Sequence, residues 1–396
     1  MHHNSKFTYI MINSFIDREL GKTLVEASAY FSVLCVTGPR QSGKSTLVSH
    51  IFSDYKQFSL EDLDVRMAAK SDPRAFLAQN ESGMIIDEVQ HVPELLSYIQ
   101  GIVDHHPELR FVLSGSSNFS LMENVTQTLA GRAGMFELLP MGFSEVRDRL
   151  KEQSLDQILF NGLFPAVCTG KNVARFFYPS YVKTYLERDV RNLLQVKNLM
   201  QFHLFLKLCA TRIGSLFNAS ELAAEIGVDS KTVTAWLSVL QTSYVVCLLH
   251  PYHANTRKRL VKAPKLYFCD TGLACYLLDI ESHEQLARDK MRGHLFENFV
   301  IVEALKHRLN KGKENNLLFY RDSNQNEIDL ILQTQQRING YEIKSSSTYH
   351  PDFISKLIKM PNLVNDEIGE RGLIYNGIYE DIQSDVKVHN WRNFMP

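Results

Sequence analysis

The run Gly38-Pro39-Arg40-Gln41-Ser42-Gly43-Lys44-Ser45-Thr46 constrains this chain more than any other stretch. It follows an apolar segment, 31–36, that reads as a buried strand. It leads into Leu47-Val48-Ser49-His50-Ile51, which reads as a helix. Strand, glycine loop and helix in that order is the context a phosphate-binding P-loop requires. Gly38 and Gly43 let the backbone wrap closely around phosphate, and the loop N–H groups and the helix start direct positive dipoles at the anion. Lys44 would then reach the β- and γ-phosphates and Ser45 would hold Mg2+, while Pro39, Arg40, Gln41, Ser42 and Thr46 line the nucleotide.

Further strands predict the rest of the site. Gly83-Met84-Ile85-Ile86 runs into Asp87-Glu88, a Walker B arrangement in which Asp87 would hold the Mg2+ shell. Glu88 would orient and deprotonate the attacking water. Arg110-Phe111-Val112-Leu113 ends in Ser114-Gly115-Ser116-Ser117-Asn118. In parallel sheets ligands sit at carboxyl ends of strands, so Ser114 and Asn118 are candidates to sense the γ-phosphate; helix capping is the alternative. Arg132 would stabilise transition-state charge, in cis or from a neighbouring subunit, or else is a surface arginine near a turn.

These elements, with Leu129-Ala130-Gly131-Arg132 and Leu138-Leu139-Pro140-Met141-Gly142-Phe143-Ser144-Glu145, resemble a family of prokaryotic AAA-type ATPases. The resemblance spans essentially the whole chain and implies a C-terminal half of poorly assigned function. Glu187-Arg188-Asp189 is similar to another hallmark of that family, although a solvated, salt-bridged helix face is the preferred reading. ATP rather than GTP follows from the resemblance and from the lack of an Asn-Lys-x-Asp motif.

Residues 218–240 predict a helix-turn-helix: a helix capped by Ser220, a turn at Gly227, and a second helix opened by Ser230. A strand at 244–249 would make it a winged variant. The second helix offers Ser230, Lys231, Thr234 and Ser238 to DNA, a weakly basic face. Arg257, Lys258, Arg259, Lys262 and Lys265 follow. If about three of these met phosphates, affinity would fall roughly 40-fold between about 50 and 200 mM salt. A protein-docking role is the alternative.

From Gly293 the pattern is a helix carrying Glu297, a strand at 317–320, a hairpin strand with Asp329, and Tyr341-Glu342-Ile343-Lys344. This order looks like the PD-(D/E)xK nuclease core. Alternate strand residues share a face, so Glu342 and Lys344 point the same way. Asp329 and Glu342, with the Ile343 carbonyl, would bind Mg2+. Lys344 would activate water or stabilise developing charge. Glu297 would add a metal ligand, and Arg321 and Gln325 would approach a substrate phosphate.

Composition bounds this reading. At 396 residues the chain exceeds one ordinary core. The expected α/β organisation is an ATPase domain at 1–150, a helical linker at 151–204, a winged helix at 205–285 and a nuclease-like, restriction-endonuclease-like domain at 286–396. No apolar run is long enough for a bilayer, and the start lacks a secretion signal. Six cysteines without a C-x-x-C pair suggest reduced thiols and a cytoplasmic setting. A formal net charge of −1 leaves DNA binding to local patches. The leading expectation is an ATP hydrolase acting on DNA. The alternatives are an ATP-gated switch docking a protein partner, and a regulator that uses nucleotide as a signal. Oligomeric state stays open.

Overall fold

The computed structural model describes residues 15–115, 128–186, 199–252, 262–333, 337–364 and 366–394. Strand β1 (Val33–Thr37) is buried at every position. Val33 and Cys35 join a core with Ile86, Leu113 and Ile99, while Leu34 and Val36 join a second core with Leu20, Leu47 and Val48. A strand covered on both faces needs apolar residues on both, which is why the sequence is continuous rather than alternating. Each fully buried Val or Leu contributes about 1.5–3 kcal/mol. Helices α1 (Leu20–Ala27) and α2 (Lys44–Ile51) cover one face, and α3 (Leu95–His105) covers the other.

The remaining strands are β2 (Lys56–Ser59), β3 (Met84–Asp87), β4 (Phe111–Gly115) and β5 (Ala133–Glu137). All pair in parallel, in the order β2-β3-β4-β1-β5. Their carboxyl ends therefore share one edge, where the glycine loop leaves β1 and Asp87 ends β3.

The middle of the chain is helical. Helix α4 (Leu155–Asn161) precedes α5 (Leu199–Ala210), α6 (Ala219–Ile226) and α7 (Ser230–Thr242). The helix-turn-helix spacing is present, with Gly227 at φ 77° between α6 and α7. Both caps differ from expectation. Asn218, not Ser220, accepts from Ser220 N and Glu221 N, and Asp229, not Ser230, accepts from Thr232 N. Each serine sits one or two residues inside, where its own N–H is among those being capped or its side chain faces solvent. Strands β6 (Val246–Pro251) and β7 (Lys265–Phe268) form an antiparallel hairpin. Asp270 caps α8 (Thr271–Leu277) by accepting from Leu273 N. The segment Glu187-Arg188-Asp189 lies outside the described residues.

Beyond α9 (Arg292–Asn310) come β8 (Leu317–Arg321), β9 (Glu327–Gln333) and β10 (Arg337–Lys344), an antiparallel meander. Strand β11 (Glu367–Tyr375) runs parallel to β10; β12 (Asp381–Gln383) and β13 (Val386–Asn390) complete the edge. The sheet does not stop at residue 286. Strand β6 pairs in parallel with β8, so the hairpin and the C-terminal strands make one mixed eight-stranded sheet. A single hydrophobic core runs from Leu139 through Phe205 and Phe268 to Trp391. Among the described residues no helix is long and apolar enough to cross a membrane.

Candidate functional site

The glycine loop has the backbone its sequence implies. Gly43 adopts φ 94°. A Cβ at Gly38 would lie 2.2 Å from the Leu138 carbonyl oxygen, so no other residue fits without displacing backbone. Lys44 is buried, and its ammonium donates to the Gly38 and Pro39 carbonyls at 3.0 and 2.9 Å. Burial pulls its pKa down to about 8, opposed by Glu88 and Asp87. These bonds hold the charge over the loop, on weak neutral acceptors that a phosphate would replace. Among the described residues, the buried Ser42 Oγ has no hydrogen-bond partner. Gln41 takes φ 62°, and Arg40 lies 3.9 Å from the Glu61 carboxylate. Thr46, Gly43, Phe15, Ile16, Pro165 and Ala166 border a cleft of about 510 Å3 beside the loop.

Asp87 is gripped by two hydroxyls. Ser45 Oγ donates to Oδ2 at 2.7 Å and Ser114 Oγ to Oδ1 at 2.5 Å. A hydroxyl and a carboxylate side by side at the strand ends are hard oxygen donors, the set Mg2+ prefers. The residues thus fit a nucleotide with its magnesium. Glu88 follows at φ 53°, and Gln90 Nε2 donates to its Oε2. Asn118 lies outside the described residues.

Arg132 is placed elsewhere. It precedes β5 at the amino edge of the sheet, where Val33 pairs with Ala133, and the P-loop is at the carboxyl edge. Its guanidinium forks onto Asp104 at 2.5 and 3.0 Å. Five strand residues separate Arg132 from the loop of its own chain, which leaves a neighbouring subunit's nucleotide as the place for the expected role.

The sequence reading missed Arg18. This buried guanidinium donates to the Ser42 carbonyl at 2.8 Å, to the Leu139 carbonyl at 2.8 Å and to Glu145 at 3.0 Å. Glu145 in turn accepts from Glu19 N and Gly142 N. The Phe143-Ser144-Glu145 motif thus anchors the arginine that fixes the loop. Its partner is 127 residues away, beyond what spacing conveys.

The C-terminal half gathers a second set of charges. Asp329, Glu342 and Lys344 meet as expected, with Lys344 Nζ 2.6 Å from Glu342 and 3.3 Å from Asp329. Asp329 also accepts from Ile343 N at 2.9 Å. Burial works against ionised Asp329, but Lys344 and Lys265 outweigh it and hold its carboxyl low. Burial, followed by the Asp329 charge, pushes Glu342 up to about 8. Among the described residues, its Oε1 is buried without a hydrogen-bond partner.

Glu297 does not join them as a metal ligand. Lys265 reaches it at 3.1 Å and Tyr267 donates to it at 2.6 Å; Lys265 also meets Glu327 at 2.5 Å. The Lys265 side chain is only 1% exposed. Burial opposes its charge, yet Glu297, Asp329 and Glu327 raise its pKa. Two lysines therefore neutralise the acids, and among the described residues no three metal-ligating side chains are arranged around one point. A divalent cation here would have to displace Lys344 from Asp329 and Glu342. Lys265 is likewise not available to DNA phosphate, contrary to expectation. Arg321 pairs with Glu327 at 3.4 Å, and Gln325 stands in the turn at φ 63°. Residues 257–259 lie outside the described residues; Lys262 is exposed.

Comparison with known proteins follows the same division. Residues 30–147 match an AAA domain, and 152–284 and 292–392 match two domains of unknown function, DUF8612 and DUF4143. The chain is 30% identical over 361 residues to the uncharacterized proteins Rv2008c of Mycobacterium tuberculosis and Mb2031c of Mycobacterium bovis, covering 90% of this chain and 79% of each of theirs. It is 22% identical over 332 residues to the uncharacterized protein MJ1544 of Methanocaldococcus jannaschii, covering 75% of this chain and 71% of that one. Among solved structures it is similar to the Walker-type ATPase PABY2304 of Pyrococcus abyssi, at 14% identity and a TM-score of 0.47, over 66% of this chain and 96% of that one.

Proposed function

Because the chain belongs to the family of AAA-domain proteins that includes Rv2008c, we propose that it is an ATP hydrolase working as a nucleotide-driven switch on its own helix-turn-helix and C-terminal sheet. One observation carries this: the Lys44 ammonium, the Ser45 and Ser114 hydroxyls on Asp87, and Glu88 converge at one sheet edge. Lys44 would trade its loop carbonyls for β- and γ-phosphate oxygens. Ser45 and Asp87 would hold Mg2+, which neutralises phosphate charge when bound. Glu88, steered by Gln90, would orient water and take its proton. Ser114 would keep Asp87 in register with β4.

The switch would act on DNA through α7. What supports this is the helix-turn-helix geometry and the exposure of Ser230, Lys231, Thr234 and Ser238 on one side of α7. Metal-dependent cleavage is not part of the proposal, because lysine ammonium groups occupy the acids that such chemistry would need. Docking of a protein partner by the C-terminal half is the second reading, favoured by the single cation on that face of α7.

ATP turnover by the purified chain, with and without duplex DNA and with Glu88→Gln as the blank, tests both. Turnover that DNA stimulates, and that salt diminishes, supports the DNA-coupled switch. Turnover indifferent to DNA leaves the partner-docking switch. No turnover above the blank rejects hydrolysis.

A further inference from the structure

Local structure does not account for Tyr244, one of the non-glycine residues at positive φ. It follows α7, whose last turn closes with the Tyr244 N–H donating to the Gln241 carbonyl at 3.0 Å and the Val245 N–H to the Leu240 carbonyl at 2.8 Å. This is a Schellman closure, which puts the residue after the cap in the left-handed region. Glycine or asparagine normally stands there, because a side chain crowds the backbone. The chain obeys that rule at the end of α6 with Gly227, and breaks it at the end of α7 with a tyrosine at φ 56°. Capping therefore does not select this residue. A strained backbone of this kind persists where its surroundings over-determine it, and such positions cluster at functional sites.

What the side chain reaches supplies the reason. The ring is buried, and its hydroxyl lies 2.7 Å from Thr37 Oγ1. Thr37 is the last residue of β1 and is itself buried; the next residue is Gly38, where the glycine loop begins. Thr37 Oγ1 also donates to the Phe136 carbonyl at 3.4 Å, which leaves Tyr244 as the donor to Thr37. Burial, with the nearby Glu137 carboxyl, holds the phenol well above its ordinary range, so this donor keeps its proton. Val245, the next residue, accepts from Cys269 N at 3.0 Å and leads into β6, which pairs with β7 and β8. One residue thus touches the root of the P-loop, the end of α7 and the start of the eight-stranded sheet.

We propose that Tyr244 is a positioning residue of the ATPase, supplied by the helix-turn-helix: by fixing Thr37 it sets where the P-loop springs from β1. A displacement of α7 then reaches the phosphate site as a change in turnover. The inference rests on the ATP-hydrolysis reading above and names the bond through which the two halves communicate.

Steady-state ATP turnover of the full chain tests it, using Tyr244→Phe, Thr37→Val, the double variant and the hydroxyl-retaining Thr37→Ser. Each hydroxyl deletion is expected to lower kcat about 3- to 10-fold with KM within about twofold. The double variant should fall no further than either single one, because both remove one bond. Thr37→Ser should keep wild-type kcat. A merely structural bond would lower the unfolding midpoint and leave kcat alone; that result, or losses that multiply in the double variant, overturns the proposal. Wild-type turnover with an unaltered Tyr244→Phe overturns this inference only. Wild-type turnover no higher than Glu88→Gln overturns the hydrolysis reading and the inference with it.

Discussion

The P-loop and the C-terminal sheet each bring lysine close to carboxylates, and they are built for opposite ends. At the P-loop, Lys44 rests on neutral backbone carbonyls while Asp87 is held by hydroxyls, so neither charge is spent on the other. In the C-terminal sheet, Lys344 is spent on Asp329 and Glu342, and Lys265 on Glu297 and Glu327. An unspent cation beside an unspent acid is poised for a polyanion and its metal. A cluster whose acids already face lysines gains less from either, since an incoming ion must first displace a desolvated lysine. The presence of the same residue types therefore says less about chemistry than what each is already bonded to.

The contrast is tested most severely at Lys265 and Lys44, both buried. Lys265→Met should destabilise the C-terminal half by about 3–5 kcal/mol, because it leaves Glu297 without its cation, whereas Glu327 keeps Arg321. Chemical denaturation followed by Trp236 and Trp391 fluorescence reads this, and adding Glu297→Gln should return part of the loss. Lys44→Met should do the reverse: little change in stability, since only carbonyl contacts are lost, but ATP binding weakened about 10²-fold. If Lys265→Met were neutral and Lys44→Met unfolded the protein, the distinction between a spent and an unspent lysine would be broken.

How much of this was legible in the sequence follows from the range of each interaction. The P-loop, Asp87 and Glu88 were legible because glycine conformation and strand-end position are local properties, fixed within a few residues of the motif. The order of β8, β9 and β10 was legible for the same reason. Arg18 and Lys265 were not, because their meaning lies in partners far along the chain: Glu145 for one, Glu297 and Glu327 for the other. Lys265 read as one of a run of solvent cations. It is instead carried by β7 into the sheet shared with β8 and β9, and that junction is a tertiary event no periodicity announces. The place of Arg132 was not legible either, because it depends on strand direction, which puts it at the edge of the sheet opposite the P-loop.

A finer distinction is in the proton. Burial in the loop lowers the Lys44 pKa to about 8, whereas bound phosphates would raise it again. Binding therefore takes up a proton above pH 8, and ATP affinity should fall about tenfold between about pH 7 and pH 9. Calorimetry in two buffers of different ionisation enthalpy measures the uptake directly. A flat affinity across that range would mean that the ammonium stays charged over its carbonyls, and that burial costs it less than the geometry implies.

The effect expected at Glu342 appears only as a pH dependence, and it sharpens the comparison most. Its folded-state pKa is raised to about 8 from an ordinary 4.5, so the folded protein holds a proton that the unfolded chain releases. Stability contributed at this site is full below the unfolded value and declines as pH rises towards 8, the opposite of a salt-bridged carboxylate. Glu342→Gln imitates the protonated form. It should match wild type within about 1 kcal/mol in mildly acidic buffer, then gain on it as the pH approaches 8. The unfolding midpoint measured across that range in urea tests this. Repeating the series with millimolar Mg2+ asks the harder question. A cation able to displace Lys344 would ionise Glu342 and stabilise wild type but not Glu342→Gln, making this cluster as unspent as the P-loop. If Mg2+ leaves the two curves in the same relation, Lys344 and Lys265 already supply the counter-charge these acids need.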